Sequence, residues 1–168
     1  MFRTFILLAA AAFLGAGCAH VGIGGIAPGV TTEAEVRAKL GAPGMSWNEP
    51  DGGRQLEYSS QPMGTFCHMV FIAPDGKVRE VRQVFTEANF ALVVPGMTQD
   101  EVMRVIGPPW PNWTVYFAAR DELVWEWRYC DPWNEPARFD VLFDNTTRKV
   151  RSTQGYPEVT RFREWCGN

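Results

Sequence analysis

Histidine is scarce in this chain, with only His20 and His68 present. Neither a His-dependent catalytic triad nor a three-His metal site is readily assembled from so few. An excess of positive charge is also missing: 16 Lys and Arg stand against 19 Asp and Glu, a net charge of -3. Without a basic stripe to meet a phosphate backbone, nucleic acid is not an expected partner. No apolar run is long enough to span a bilayer, the longest extending only from Phe5 to Leu14. No phosphate-binding glycine loop follows a strand and opens a helix, because Gly22, Gly24 and Gly25 lack both flanks and read as linker. No cofactor is expected. What the chain does have is seven Trp, sixteen Gly and twelve Pro in 168 residues, a mixture that suggests short elements, many turns and large aromatic packing.

The first residues read as a leader. Arg3 supplies a positive charge, Phe5 to Leu14 an apolar core, and Gly15, Ala16 and Gly17 a small-residue exit. Cys18 follows directly, as in a bacterial lipobox, where the cysteine thiol takes a diacylglycerol before cleavage. Gly15 occupies the place where such boxes prefer Leu, so a plain secretory peptide is the alternative. Lipidated, Cys18 would anchor the mature chain to a membrane, and Ala19 after it is the kind of residue that releases a lipoprotein to the outer membrane.

Behind the leader the chain repeats itself. Pro28-Gly29-Val30 with Thr32, Glu35, Val36, Leu40, Gly41 and Pro43 recurs as Pro95-Gly96-Met97 with Thr98, Glu101, Val102, Ile106, Gly107 and Pro109. Further on, Val70-Phe71 matches Leu142-Phe143, and Lys77-Val78-Arg79 matches Lys149-Val150-Arg151. Each first block reads as a capped helix: the Thr hydroxyl and the Glu carboxylate three residues on satisfy free N–H groups of the first turn. Val36 with Leu40, and Val102 with Ile106, make an apolar stripe expected to lie buried on a sheet. Gly41 and Gly107 are expected to end these helices in the left-handed conformation. Each second block reads as three strands: Arg54 to Ser59, Phe66 to Ile72 and Lys77 to Phe85, then Leu123 to Tyr129, Ala137 to Phe143 and Lys149 to Gln154. The expected fold is therefore α+β, two tandem units of one or two short helices packed on a three-stranded antiparallel sheet. The expected organisation is a signal peptide (1–17), a lipidated linker (18–27), a first repeat (28–86), a second repeat (87–160) and a tail (161–168).

Gly96, Met97, Thr98 and Val102, with Gly107 and Pro109 closing the helix and a Trp/Tyr-rich strand and hairpin following, resemble the SmpA/OmlA or BamE-like family of outer-membrane lipoproteins. The first copy keeps Gly29, Val36, Gly41, Pro43, Tyr58, Phe71, Gly76 and Val78 in the same order, with Val30 in place of Met. In the second copy Arg148 stands where Gly76 stands in the first. The tandem arrangement also resembles the beta-lactamase inhibitory protein. The first resemblance implies a periplasm-facing, lipid-anchored module on the outer membrane that supports assembly of outer-membrane proteins or envelope integrity. The second implies a binder or inhibitor of a periplasmic enzyme. Either way the partner is an outer-membrane or periplasmic protein, and no catalysis is expected.

Two details bear on partners and on the compartment. Cys67, Cys130 and Cys166 remain after the anchor, and an oxidising periplasm permits one disulfide. Cys130 with Cys166 would tie down the chain end, while Cys67 with either partner is the alternative. Trp110, Trp113 and Trp133 lie in proline-rich loops of the second repeat, either as anchors for a partner or as plugs for the core. Cys67-His68 suggests a thiol–imidazole pair, but strand neighbours point to opposite faces. The carboxylates Glu122, Glu126, Asp140 and Asp144 read as solvation of an outer sheet face.

Overall fold

A computed structural model describes residues 23–158 and Cys166. The expected leader, the anchor at Cys18 and most of the expected tail lie outside the described residues. In chain order the elements are α1 (Glu33–Leu40), β1 (Met45–Asn48), β2 (Arg54–Ser59), β3 (Cys67–Ile72), β4 (Val78–Gln83), α2 (Glu87–Phe90), α3 (Gln99–Ile106), β5 (Val115–Phe117), β6 (Glu122–Cys130), β7 (Pro136–Asp144) and β8 (Lys149–Pro157). The strands form two four-stranded antiparallel sheets, ordered β1-β2-β3-β4 and β5-β6-β7-β8. This corrects the expected α+β fold with three-stranded sheets: the chain is mostly β, with a few short helices. The strands missing from the expectation are β1 and β5, of 4 and 3 residues, each after the proline that follows a helix. Such short segments show too little alternation to register as strands. Trp47, expected outside the strands, pairs with Gln55 inside β1 and is 7% exposed.

The local signals at the helices follow their physical reading. The side chains of Thr32 and Thr98 accept from the backbone N–H of Glu35 and Glu101, and those glutamates accept from the Thr backbone in return. Each cap segment then pairs with the start of its last strand, through bridges of Thr32 with Lys77 and Thr98 with Lys149. The same bonds recur in both halves. Gly29 N–H donates to Val78 O at 2.7 Å and Val78 N–H to Thr31 O at 2.8 Å, while Gly96 N–H donates to Val150 O and Val150 N–H to Met97 O at 2.8 Å each. A register shift also recurs, between Phe71 and Ile72 and between Leu142 and Phe143.

The helix-ending glycines differ from expectation. Gly41 and Gly107 have φ of 84° and 77°, but ψ of -164° and 171° takes them out of the left-handed helical region into one essentially restricted to glycine. Gly107 is further constrained by packing, since a Cβ there would sit 3.0 Å from Cys67 Sγ and 3.4 Å from Glu57 Cγ. The end of α3 is thus pressed onto the first sheet.

That contact reveals how the halves join. One face of the first sheet buries Leu56, Val70, Ile72 and Val78 against Val36 of α1 and Ile26. Its other face contributes Trp47, Cys67 and Met69 to a larger core shared with Phe90 of α2, Val102 and Ile106 of α3, and Trp125, Trp127, Phe139, Val141 and Phe143 of the second sheet. Side chains of the first sheet also bond to α3: Trp47 Nε1 donates to Asp100 at 3.2 Å and Gln55 Nε2 to the Arg104 carbonyl at 2.6 Å. From the second sheet, Trp127 Nε1 donates to the Pro108 carbonyl at 3.1 Å. The helix α3 therefore fills the space between the two sheets.

Candidate functional site

The three loop tryptophans are separated in space. Trp110, half-buried, lines a cleft of about 700 Å³ where the two halves meet, with Leu40, Tyr58, Phe66 and His68 among the other walls. Trp133 is 75% exposed on the rim of a cleft of about 370 Å³ between α2 and β8, lined by Phe90, Tyr129 and Phe139. Trp113 belongs to a third cleft, of about 380 Å³, on the outside of the second sheet. The nearness of Trp110 and Trp113 in sequence gave no hint of this, because the turn at Pro111–Trp113 carries the chain from one cleft to the other. The exposure of Trp133 excludes it as a core plug.

Strand alternation builds the outside of the second sheet. Trp125, Trp127 and Tyr129 point into the core, so Val124, Glu126 and Arg128 of β6 point out. Register with β7 sets Glu126 opposite Asp140, Val124 opposite Leu142 and Arg128 opposite Arg138. Val115 pairs with Val124 and Phe117 with Glu122 from β5, and Gln154 and Tyr156 complete the face from β8. Val115, Phe117 and Tyr156 are 46%, 40% and 39% exposed. Large apolar side chains on a face with no helix over it among the described residues call for an explanation.

Charged groups on this face are mostly matched. Arg138 donates to Glu126 at 2.8 Å and to Glu158 at 2.9 Å, Arg128 donates to Glu158 at 2.6 Å, and Arg120 pairs with Glu122 at 2.8 Å. The Arg138 guanidinium lies 4.3 Å from the Trp113 ring centre, and that of Arg120 lies 4.6 Å from Phe117. Tyr156 donates its hydroxyl to Glu126 at 2.7 Å, and burial together with that carboxylate pushes the phenol pKa up. Asp140 is 5% exposed and takes one bond, from Gln154 Nε2 at 2.9 Å, while its Oδ1 has no partner. Burial raises its pKa, with the Glu126 charge adding to the effect. The expectation that these carboxylates simply solvate the sheet is corrected for Asp140 and Glu122, both of which are buried. It fits Asp144 better: Thr147 N–H and Arg151 hold that carboxyl down to about 2.

At the junction, the sequence reading missed Glu57. Alternation with Leu56 and Tyr58 places it on the opposite face of β2, which reads as a solvent face until α3 and the second sheet cover it. Glu57 is 1% exposed and accepts from the Cys67 thiol at 3.6 Å. Burial raises the Glu57 pKa, and burial with the Glu57 charge pushes the Cys67 thiol up. His68, its pKa lowered by burial, sits on the α1 face of the same strand. Thiol and imidazole therefore point apart, and the thiol stays protonated, the opposite of an activated nucleophile.

Cys130 and Cys166 form a disulfide with Cα atoms 6.0 Å apart, and Cys67 is free and buried. Asn134 holds the same segment, its carbonyl accepting from Cys166 N–H at 3.1 Å. Among the described residues no group of three or more His, Cys, Asp or Glu is placed to hold a metal ion, and no helix is long and apolar enough to cross a membrane. No protein-family model, curated protein or solved structure matches the chain.

Proposed function

We propose that this chain is an exported interaction module, anchored through lipid on Cys18 to the outer membrane and facing the periplasm, and that it holds a protein partner on the outside of its second sheet. The observation that carries this reading is the coverage of the sheets. Among the described residues, helices or the other half of the molecule pack on three of the four sheet faces, one of them still open at the junction cleft beside Tyr58 and His68, whereas no helix lies over the fourth, which exposes Val115, Phe117 and Tyr156 beside Trp113. Rigid aromatic side chains on an uncovered sheet are suited to binding because little conformational entropy is lost when they are contacted. The Cys130–Cys166 disulfide supports export, since such bonds persist in oxidising compartments. Support for outer-membrane protein assembly is the narrower part of the proposal. It rests on the resemblance to the BamE-like family in caps and turns, from which the four-stranded sheets depart.

Two measurements test the reading. Replacing Cys18 with Ser should move the protein from the membrane pellet to the soluble periplasm, and a variant that still pellets after a salt wash contradicts the anchor. A photo-reactive side chain placed at Ser152 on the outer face should cross-link a partner in intact envelopes, while one at Met63, 86% exposed in the first half, should not. An outer-membrane protein in the adduct supports the assembly role, and a soluble periplasmic enzyme shifts the role to binding or inhibition. Adducts from Met63 alone would overturn the placement of the site.

A further inference from the structure

We propose that the outer cleft of the second sheet receives one lysine or arginine side chain of the partner protein, with Asp140 as the charge that pairs with it. This rests on the reading that the outer face is the docking surface, and adds the chemistry of the guest.

Glu122 is matched by Arg120, and Glu126 and Glu158 are matched by Arg138 and Arg128. Asp140 makes no ion pair among the described residues. Its Oδ2 accepts from the neutral Gln154 amide and its Oδ1 accepts from nothing. The Tyr156 hydroxyl, which lies beside both carboxylates, has a single proton and gives it to Glu126. Directly across the strand pair stands Glu126, a like charge. A carboxylate this buried, with one oxygen unbonded and offset only by the charge of Arg138, which is itself committed to Glu126 and Glu158, is costly to keep in a folded protein, and a cation from outside would relieve that cost.

The surroundings define which cation fits. Val115, Val124 and Leu142 line the cleft on one side of Asp140, an apolar track suited to the methylene stem of a long basic side chain whose charged end goes deeper. Trp113 and Phe117 already stack two guanidinium groups of the chain itself, so the rings on this face present the environment in which organic cations are held. A bare metal ion fits poorly, since no three suitable ligands converge among the described residues. Stem, charge and ring environment together match Lys or Arg.

The test uses the whole mature chain. Titration with N-acetyl-arginine amide, followed by the amide NMR signals of β6, β7 and β8, should give saturable shifts centred on Asp140, Leu142 and Gln154. The uncharged N-acetyl-norleucine amide should give none. Asp140→Asn keeps the shape and removes the charge, and should weaken binding by about ten-fold or more. Equal response to the two amides, a comparison that needs no variant, overturns the proposal, as does unchanged affinity in folded Asp140→Asn protein. The cross-link from Ser152 separates this inference from the reading beneath it. An adduct equally strong in Asp140→Asn envelopes removes the cation site and leaves the docking face standing. No adduct in either protein, with arginine binding intact in vitro, keeps the cation site and removes the docking face.

Discussion

Arg148 holds the place in the last hairpin of the second half that Gly76 holds in the first, and both take a positive φ, 58° and 81°. For glycine that conformation carries no steric penalty, while for an arginine Cβ it costs about 1 to 2 kcal/mol. The Arg148 side chain is exposed and closes the turn only through its backbone, whose N–H donates to Asp144 O at 2.8 Å. Arg148→Gly should therefore stabilise the fold by about 0.5 to 1 kcal/mol, part of the relief being offset by the greater freedom of glycine in the unfolded chain. Denaturant unfolding checks this, and a loss of stability would show that the arginine side chain supports the hairpin in a way its exposure does not suggest. Asp144, next to this turn, shows the opposite economy: hydrogen bonds from Thr147 and Arg151 to a surface carboxylate favour its ionised form.

The elements show where local and non-local information part. Ile106 is fully buried between the sheets, whereas Leu40, its counterpart in the repeat, is only partly buried on the outer side of the first sheet and also lines the junction cleft. Ile106→Ala should cost about 2 to 5 kcal/mol, while Leu40→Ala should fall below about 2 because the site is half open and leaves a smaller cavity. Thermal or denaturant melts of the two variants decide it, and equal losses would contradict the different positions of α1 and α3. The capping boxes at Thr32 and Thr98 and the helix stops at Gly41 and Gly107 were legible because each depends on residues close in sequence. The strands β1 and β5, the burial of Glu57 and the placing of α3 between the sheets were not, since they depend on contacts between the halves. The same division holds at the candidate site. Trp113 stood out in the sequence as a proline-flanked aromatic, but its neighbours Val115, Asp140 and Tyr156 are assembled by sheet register, which no single stretch reveals.

At the scale of the molecule, duplication has produced two similar sheets in unequal positions. Among the described residues, the first lies between α1 and α3 and is packed on both faces apart from the junction cleft, while the second turns one face to α3 and has no helix over the other. That inequality is what sets the outside of the second sheet apart as the proposed docking face. The disulfide closes the C-terminal side of this half by joining Cys166 to the end of β6, across a sequence separation of 36. The most direct test is the double variant Val115→Lys, Phe117→Lys, read by its melting temperature and by the cross-link from Ser152. Both side chains are well exposed, so the account predicts a melting shift of less than about 4 °C together with loss of the partner adduct, because charge has been set on an apolar docking face. An adduct of undiminished strength in a variant that melts normally would contradict the claim that the partner is held there.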